Sequence, residues 1–167
     1  MINPRFVGRV ALILGACAVP QAVFAATTTS SLNVTATVTA NCTVSTSALA
    51  FGNVNVIGGS NVDGSGSLSV TCTSGTAWSA AADVGAGSGA SFTNRRMSSG
   101  GNTLNYNLYT TAARTTVWGN GTASTGTLSG TGTGSAQSVT VYGRVGSGQS
   151  GVPAGSYADT VSVTVTY

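Results

Sequence analysis

The chain has 167 residues, six basic and three acidic side chains and no histidine, for a formal net charge of +3. Every basic residue is Arg and every acidic one Asp; Arg5 and Arg9 sit near the start, so residues 26–167 carry Arg95, Arg96, Arg114 and Arg144 against Asp63, Asp83 and Asp159, a net of +1. Lacking His, Lys and Glu, that portion has no imidazole base, no amine nucleophile and no His ligand for a metal, and its one adjacent basic pair, Arg95-Arg96, is too little for a surface that binds nucleic acid or an anionic membrane by charge.

Arg5 and Arg9 precede an apolar run from Val10 to Val19, then Pro20 and the small-residue ending Val23-Phe24-Ala25. This pattern reads as a secretory signal over residues 1–25, cleaved after Ala25. The apolar run is too short to span a bilayer, and no later segment is long enough. A rival reading stays open, because Leu14-Gly15-Ala16-Cys17 resembles a bacterial lipoprotein box that would place a lipid on Cys17.

Residues 32 to 40 alternate apolar and polar without a break, from Leu32 through Val34, Ala36 and Val38 to Ala40. The alternation predicts a strand with one dry face. At the new N-terminus of an exported chain, such a strand can pair within its own domain or be lent to a neighbour. With so few charges around it, it lacks the usual gatekeepers against edge-to-edge pairing, so either the fold or a chaperone must hide that edge.

Further alternating stretches follow: Cys42 and Val44; Leu49, Phe51, Val54 and Val56; Leu68, Val70 and Cys72; Trp78, Ala80 and Ala82; Leu104, Tyr106 and Leu108; Val139, Val141 and Val145; and Val161, Val163, Val165 and Tyr167. Short strands rich in Val, Thr and Tyr, with no helical period between them, predict one all-β domain built as an antiparallel sandwich. Gly85–Gly89 and Gly119–Gly134 read as long surface loops, and neither carries the Lys or the strand-then-helix setting of a nucleotide cradle.

Cys42 and Cys72 are the two cysteines beyond the signal, an even pair in an exported chain, and are expected to form one disulfide. Asp63 and Asp83 are expected in Gly-rich turns and Asp159 in a strand, where turn or surface roles suit them better than catalysis. No enzyme activity and no cofactor or metal is therefore expected. Trp78, Tyr106, Tyr109 and Trp118 fit core packing better than a sugar-stacking platform. Three matches to the glycosylation sequon, at Asn33, Asn41 and Asn120, are what chance produces in a Thr-rich chain.

Four groups of residues together resemble the spore coat protein U family, which includes Csu-type subunits of archaic chaperone–usher pili. They are Asn41-Cys42-Thr43-Val44 with Phe51-Gly52; Leu68 to Cys72; Leu104-Asn105-Tyr106-Asn107-Leu108-Tyr109 with Ala113-Arg114 and Val117-Trp118-Gly119-Asn120-Gly121; and Gly155 to Tyr167. The resemblance implies an immunoglobulin-like sandwich that lacks its final strand and is completed by a strand donated from a neighbouring subunit. A periplasmic chaperone would fill the gap first, and an outer-membrane usher would catalyse exchange for the N-terminal extension of another copy or a related subunit. On that basis residues 26–40 form the donor extension, with Leu32, Val34, Ala36 and Val38 as groove-filling side chains, and residues 41–167 form the domain. Val161, Val163, Val165 and Tyr167 would form one groove wall and the strand with which the chaperone pairs, while the disulfide would pre-shape the groove. Two departures stand out: Tyr167 is last where better-known pilins have their aromatic next to last, and Thr111 stands where relatives often have Asp. Arg114 is expected as a structural or subunit-contact residue.

The implied function is a structural subunit of an adhesive surface pilus, exported through the periplasm to the cell surface and contributing to attachment and biofilm formation. A spore or cell coat protein with the same fold, and a secreted carbohydrate-binding module, are the alternatives.

Overall fold

The computed structural model describes residues 21–167, so the expected signal and its Cys17 lie almost wholly outside the described residues. The chain divides into a unit ending at Ala36 and a unit from Thr37 to Tyr167. In the first, residues 21–36 are exposed and form no helix or strand.

The second unit holds eight strands and, among the described residues, no helix. They are β1 (Cys42–Thr46), β2 (Val62–Cys72), β3 (Ala77–Ala82), β4 (Arg95–Ser99), β5 (Asn102–Tyr109), β6 (Leu128–Thr131), β7 (Gln137–Val145) and β8 (Val163–Thr166). One sheet has the order β1-β2-β7-β5-β4 and the other β6-β3-β8, with antiparallel pairing throughout. Buried side chains from both sheets form one core: Leu68 and Val70 from β2, Trp78, Ala80 and Ala82 from β3, Leu104, Tyr106 and Leu108 from β5, Leu128 from β6, and Val141 and Val145 from β7. The expected antiparallel all-β architecture is what the chain adopts.

The Cys42–Cys72 disulfide forms across the first rung of the β1–β2 ladder. In the chain-entropy picture a loop of this length restricts the unfolded chain by roughly 3 to 4 kcal/mol.

Several local expectations are corrected. Residues 49–56 are not a strand: their apolar side chains pack on the core, but no ladder among the described residues reaches them. Asp63 lies within β2, not in a turn, because Gly64 and Gly66 continue the strand where a Cβ would collide with the segment Ser47–Phe51. Asp159 falls outside the strands, two residues before Val161, and β8 itself spans only Val163–Thr166. The stretch Gly119–Gly134, expected as loop throughout, contains β6, where Leu128 is buried and its neighbours pair with β3. Strand β4 was not anticipated, since it opens with two arginines.

Candidate functional site

The sandwich is open at one end. A cleft of about 1090 Å³ runs between the segment Thr46–Ile57 on one side and residues 150–163 on the other. Its floor is the core itself, through Leu68, Leu104, Tyr106, Leu108, Trp118 and Val141. A closed sandwich would cover such side chains with another strand.

The first wall is seated by side chains, not by a ladder. Ser47 is tied to Ser67 by backbone and hydroxyl bonds of 2.8 to 2.9 Å. Beyond it Leu49 and Phe51 drop onto a notch floored by Gly64, Gly66 and Gly143, where a Cβ on Gly143 would lie 2.8 Å from Phe51 Cζ and 2.9 Å from Leu49. Phe51 also meets Tyr106 edge-on, with ring centroids 6.0 Å apart. At the rim, Asn55 Oδ1 accepts hydrogen bonds from the N–H groups of Ile57 and Gly58, and holds Ile57 out in solvent.

The second wall is fixed by two carboxylates used as backbone acceptors. Asp83 Oδ1 accepts from the N–H of Gly85 at 2.9 Å and of Ser162 at 3.0 Å. Asp159 Oδ1 accepts from Ala86 and Thr160, each at 2.8 Å, and its Oδ2 accepts from the Tyr106 hydroxyl at 2.7 Å. Burial, and then the neighbouring Asp159, push the Tyr106 hydroxyl well above the usual tyrosine range. Ser98 and Ala158 exchange a pair of backbone hydrogen bonds that lash the same wall to β4.

Behind this wall lies Arg95, fully buried. It has no carboxylate partner; its guanidinium donates from Nε and Nη2 to Asp83 O, from Nη2 to Trp118 O at 2.7 Å and from Nη1 to Asn107 Oδ1 at 2.9 Å. Desolvation lowers its pKa from the ordinary Arg value. With a longer bond from Nη1 to Phe92 O at 3.5 Å, the five-donor fork matches four convergent acceptors, a geometry one ammonium would not reproduce. Arg95 organises the site, yet from sequence it was only half of a surface basic pair. The signal that could have flagged it is its place at the head of an otherwise alternating stretch, Arg95 and Met97.

The groove-wall residues named from sequence are only partly gathered. Val161 and Val163 line the cleft; Val165 packs on the core, and Tyr167 is 56% exposed. Among the described residues β8 is the outer strand of its sheet and pairs with β3 alone. Leu32, Val34 and Val38 are 87%, 81% and 84% exposed, Ala36 is exposed as well, and residues 32–40 pair with no strand among the described residues. Trp78, Tyr106 and Trp118 are buried, and the Trp118 indole N–H donates to Ala80 O, so no surface sugar platform is formed from these rings. Arg114 donates to Gly143 O and Ala112 O and reaches Asp63, consistent with a structural role. Among the described residues no group of His, Cys, Asp or Glu could hold a metal ion.

The comparisons with known proteins agree with this architecture. The Spore Coat Protein U domain matches residues 28–164. "Protein U" of Myxococcus xanthus is 41% identical over 160 residues, covering 86% of this chain and 87% of that protein. Among solved structures, the chaperone–tip adhesion subunit pre-assembly complex CsuC–CsuE, from the archaic chaperone–usher Csu pili of Acinetobacter baumannii, superposes with a TM-score of 0.57 at 20% identity. That match covers 78% of this chain, which spans 40% of the matched chain's length, and it carries the fold alone. The sandwich is therefore immunoglobulin-like, and the chain belongs to the spore coat protein U family.

Proposed function

We propose that the protein is a structural, non-catalytic subunit of an adhesive surface pilus, assembled by strand donation. The observation that carries this reading is the pairing of two complementary defects. The domain has an open, core-floored cleft beside the outer edge of β8, which pairs with no further strand among the described residues, and the chain has an alternating segment, Leu32 to Val38, whose apolar side chains are exposed. A donated strand would complete the ladder along β8 and place Leu32, Val34, Ala36 and Val38 on the floor. Covering four such side chains is worth roughly 5 to 10 kcal/mol before ordering costs, at about 1.5 to 3 kcal/mol for each large one.

In this reading residues 1–25 direct export and are cleaved after Ala25, a periplasmic chaperone occupies the cleft beside Val161, Val163, Val165 and Tyr167, and an outer-membrane usher exchanges it for the next subunit's extension at residues 26–40. Attachment and biofilm formation follow from the resulting surface fibre. The chaperone complex of the Csu structural neighbour supports the chaperone step. The family's spore-coat description favours a second setting, a coat layer built from the same subunits.

The test is to co-express the protein with its chaperone, with and without residues 26–39, and examine unboiled gels and electron micrographs. Ladders and fibres from the wild type, with the truncated form retained in chaperone complexes, are expected. A stable wild-type monomer together with misfolding of the truncated form would return residues 32–40 to their own domain.

A further inference from the structure

We infer that a polar pocket on the outward face of the larger sheet is a binding site for an acidic sugar, a uronate-type saccharide whose carboxylate is held by Asn107 and Arg144. The pocket shares only Tyr106 with the cleft, so the inference stands apart from strand donation.

The pocket exists because two neighbouring strands part. β5 and β7 pair only from the Asn107–Arg144 rung to the Tyr109–Tyr142 rung, and β7 ends at Val145. Beyond that point the Gln149 side chain stands in for the missing strand: its Oε1 accepts from the Asn105 N–H at 2.8 Å and its Nε2 donates to Asn105 O at 2.9 Å. Residues 146–148 bulge outward to bring Gln149 there, with Gly148 at φ 79° and the Ser147 N–H donating to Asn61 Oδ1 at 3.0 Å. Across β5, Ser91 and Asn94 exchange a pair of backbone hydrogen bonds that closes a tight turn. Between these rims lies a hollow of about 360 Å³, at the small end of the roughly 300 to 1,000 Å³ usual for small-molecule sites.

Asn107 lines this hollow at 7% exposure, and the orientation of its amide is dictated. Its Oδ1 accepts from Arg95 Nη1 and from the Leu108 N–H, each at 2.9 Å, and Arg95 can only donate. The NH2 end is left without a partner among the described residues, an uncommon state for so buried a group. Directly opposite on the β5–β7 ladder stands Arg144, which gives Nε and Nη2 to Asp63 and keeps Nη1 unspent. Opposed residues bring their Cβ atoms to about 5 Å, so two donors without an acceptor border one space, which suits the two oxygens of a carboxylate. Charge agrees. Arg144 is the one charged side chain among the described residues that line the pocket, and Asp63 is shared with Arg114 at 3.2 Å, so two cations face one anion.

The rest of the wall suits a polyhydroxylated ring. The side chains of Asn94, Asn105, Ser147 and Tyr109 line the pocket with no hydrogen bond spent among the described residues, and no aliphatic side chain accompanies them. A lipid acid or an apolar peptide would leave these amides and hydroxyls unmatched, whereas the hydroxyls of a sugar donate and accept in turn. In a fibre of such subunits the pocket repeats once per copy, so weak single-site binding becomes avid. That consequence alone rests on the strand-donation reading.

The test is calorimetric titration of the full chain, in whatever assembly state it purifies, with a galacturonate trimer, a neutral galactose trimer and a sulfated, carboxylate-free galactose trimer. The galacturonate trimer should bind saturably, and the other two at least about tenfold more weakly. Asn107→Asp keeps the oxygen that serves Arg95 while turning the unpaired donor into an acceptor, and Arg144→Gln removes the charge. Each variant, its fold checked by a denaturation midpoint, should bind the galacturonate trimer about tenfold or more weakly than the wild type. Absence of saturable binding by the wild type overturns the inference. So does binding that both variants retain, which places the sugar elsewhere, and so does equal or tighter binding of the neutral or the sulfated trimer, which removes the carboxylate. Where Arg144→Gln fails to fold, Asn107→Asp decides alone.

Discussion

The Tyr106 hydroxyl donates to Asp159 Oδ2 across 2.7 Å, joining the floor of the cleft to its C-terminal wall. The bond is charge-assisted and half-buried, which places its worth at about 1.5 to 3 kcal/mol. Tyr106→Phe should lower stability by that order while leaving the ring packed against Phe51, as read from a denaturant midpoint.

The same pair dictates an alkaline limit. Burial raises the folded pKa of Tyr106 above its ordinary value near 10, so the folded state keeps a proton that the unfolded chain releases. The associated stability is complete below about pH 10 and is lost as pH climbs from there toward the folded pKa. Thermal midpoints measured above pH 10 should fall in the wild type and fall less steeply in Tyr106→Phe; parallel slopes in the two would refute the assignment.

Asp63 illustrates the opposite case. The Arg144 hydrogen bond, followed by the charges of Arg114 and Arg144, holds its carboxyl below the usual value of 3.8. Its stabilising effect is present above that value and lost as pH drops through the folded pKa. With 39% of the Asp63 side chain exposed, screening limits the effect, and Asp63→Asn should cost under about 1 kcal/mol at neutral pH.

Arg95→Lys should not behave as a conservative change. It leaves some of Asp83 O, Trp118 O and Asn107 Oδ1 without a donor, at about 1 to 3 kcal/mol for each buried group. The expected readout is loss of the soluble chaperone complex, with near-wild-type yield arguing that the network is dispensable.

Gly143→Val tests the notch. Its added carbons would enter space held by Phe51 and Leu49, so the segment Ser47–Phe51 must lift or the core must strain, at roughly 1 to 3 kcal/mol. Faster proteolysis within residues 48–57 than in the wild type is the expected signature.

Which parts of this were legible in the sequence follows from what side-chain alternation encodes. Leu68-Val70-Cys72, Leu104-Tyr106-Leu108 and Val139-Val141 announce one-sided burial, and each became a core strand. Alternation also flagged Leu49 to Val56, where it reported contact with the core correctly but could not reveal that no partner strand lies alongside. Gly64 and Gly66 looked like turn residues because their purpose, room for Leu49 and Phe51, is set by a segment some fifteen positions earlier. Arg95 was opaque for a related reason: its burial depends on carbonyls supplied by Asp83 and Trp118, which only the folded chain brings together. The cleft itself has no local signature, since its walls come from residues a hundred positions apart.

The position of the disulfide has a mechanical consequence. Traction on the N-terminal segment enters the domain at Asn41 and meets the Cys42–Cys72 bond at the very next residue. Without that bond, β1 could be unzipped from β2 one rung at a time, each rung failing alone under the full load. With it, force crosses covalently into β2, the longest of the described strands and an inner member of the larger sheet, so β1 cannot be stripped from that end while the bond holds.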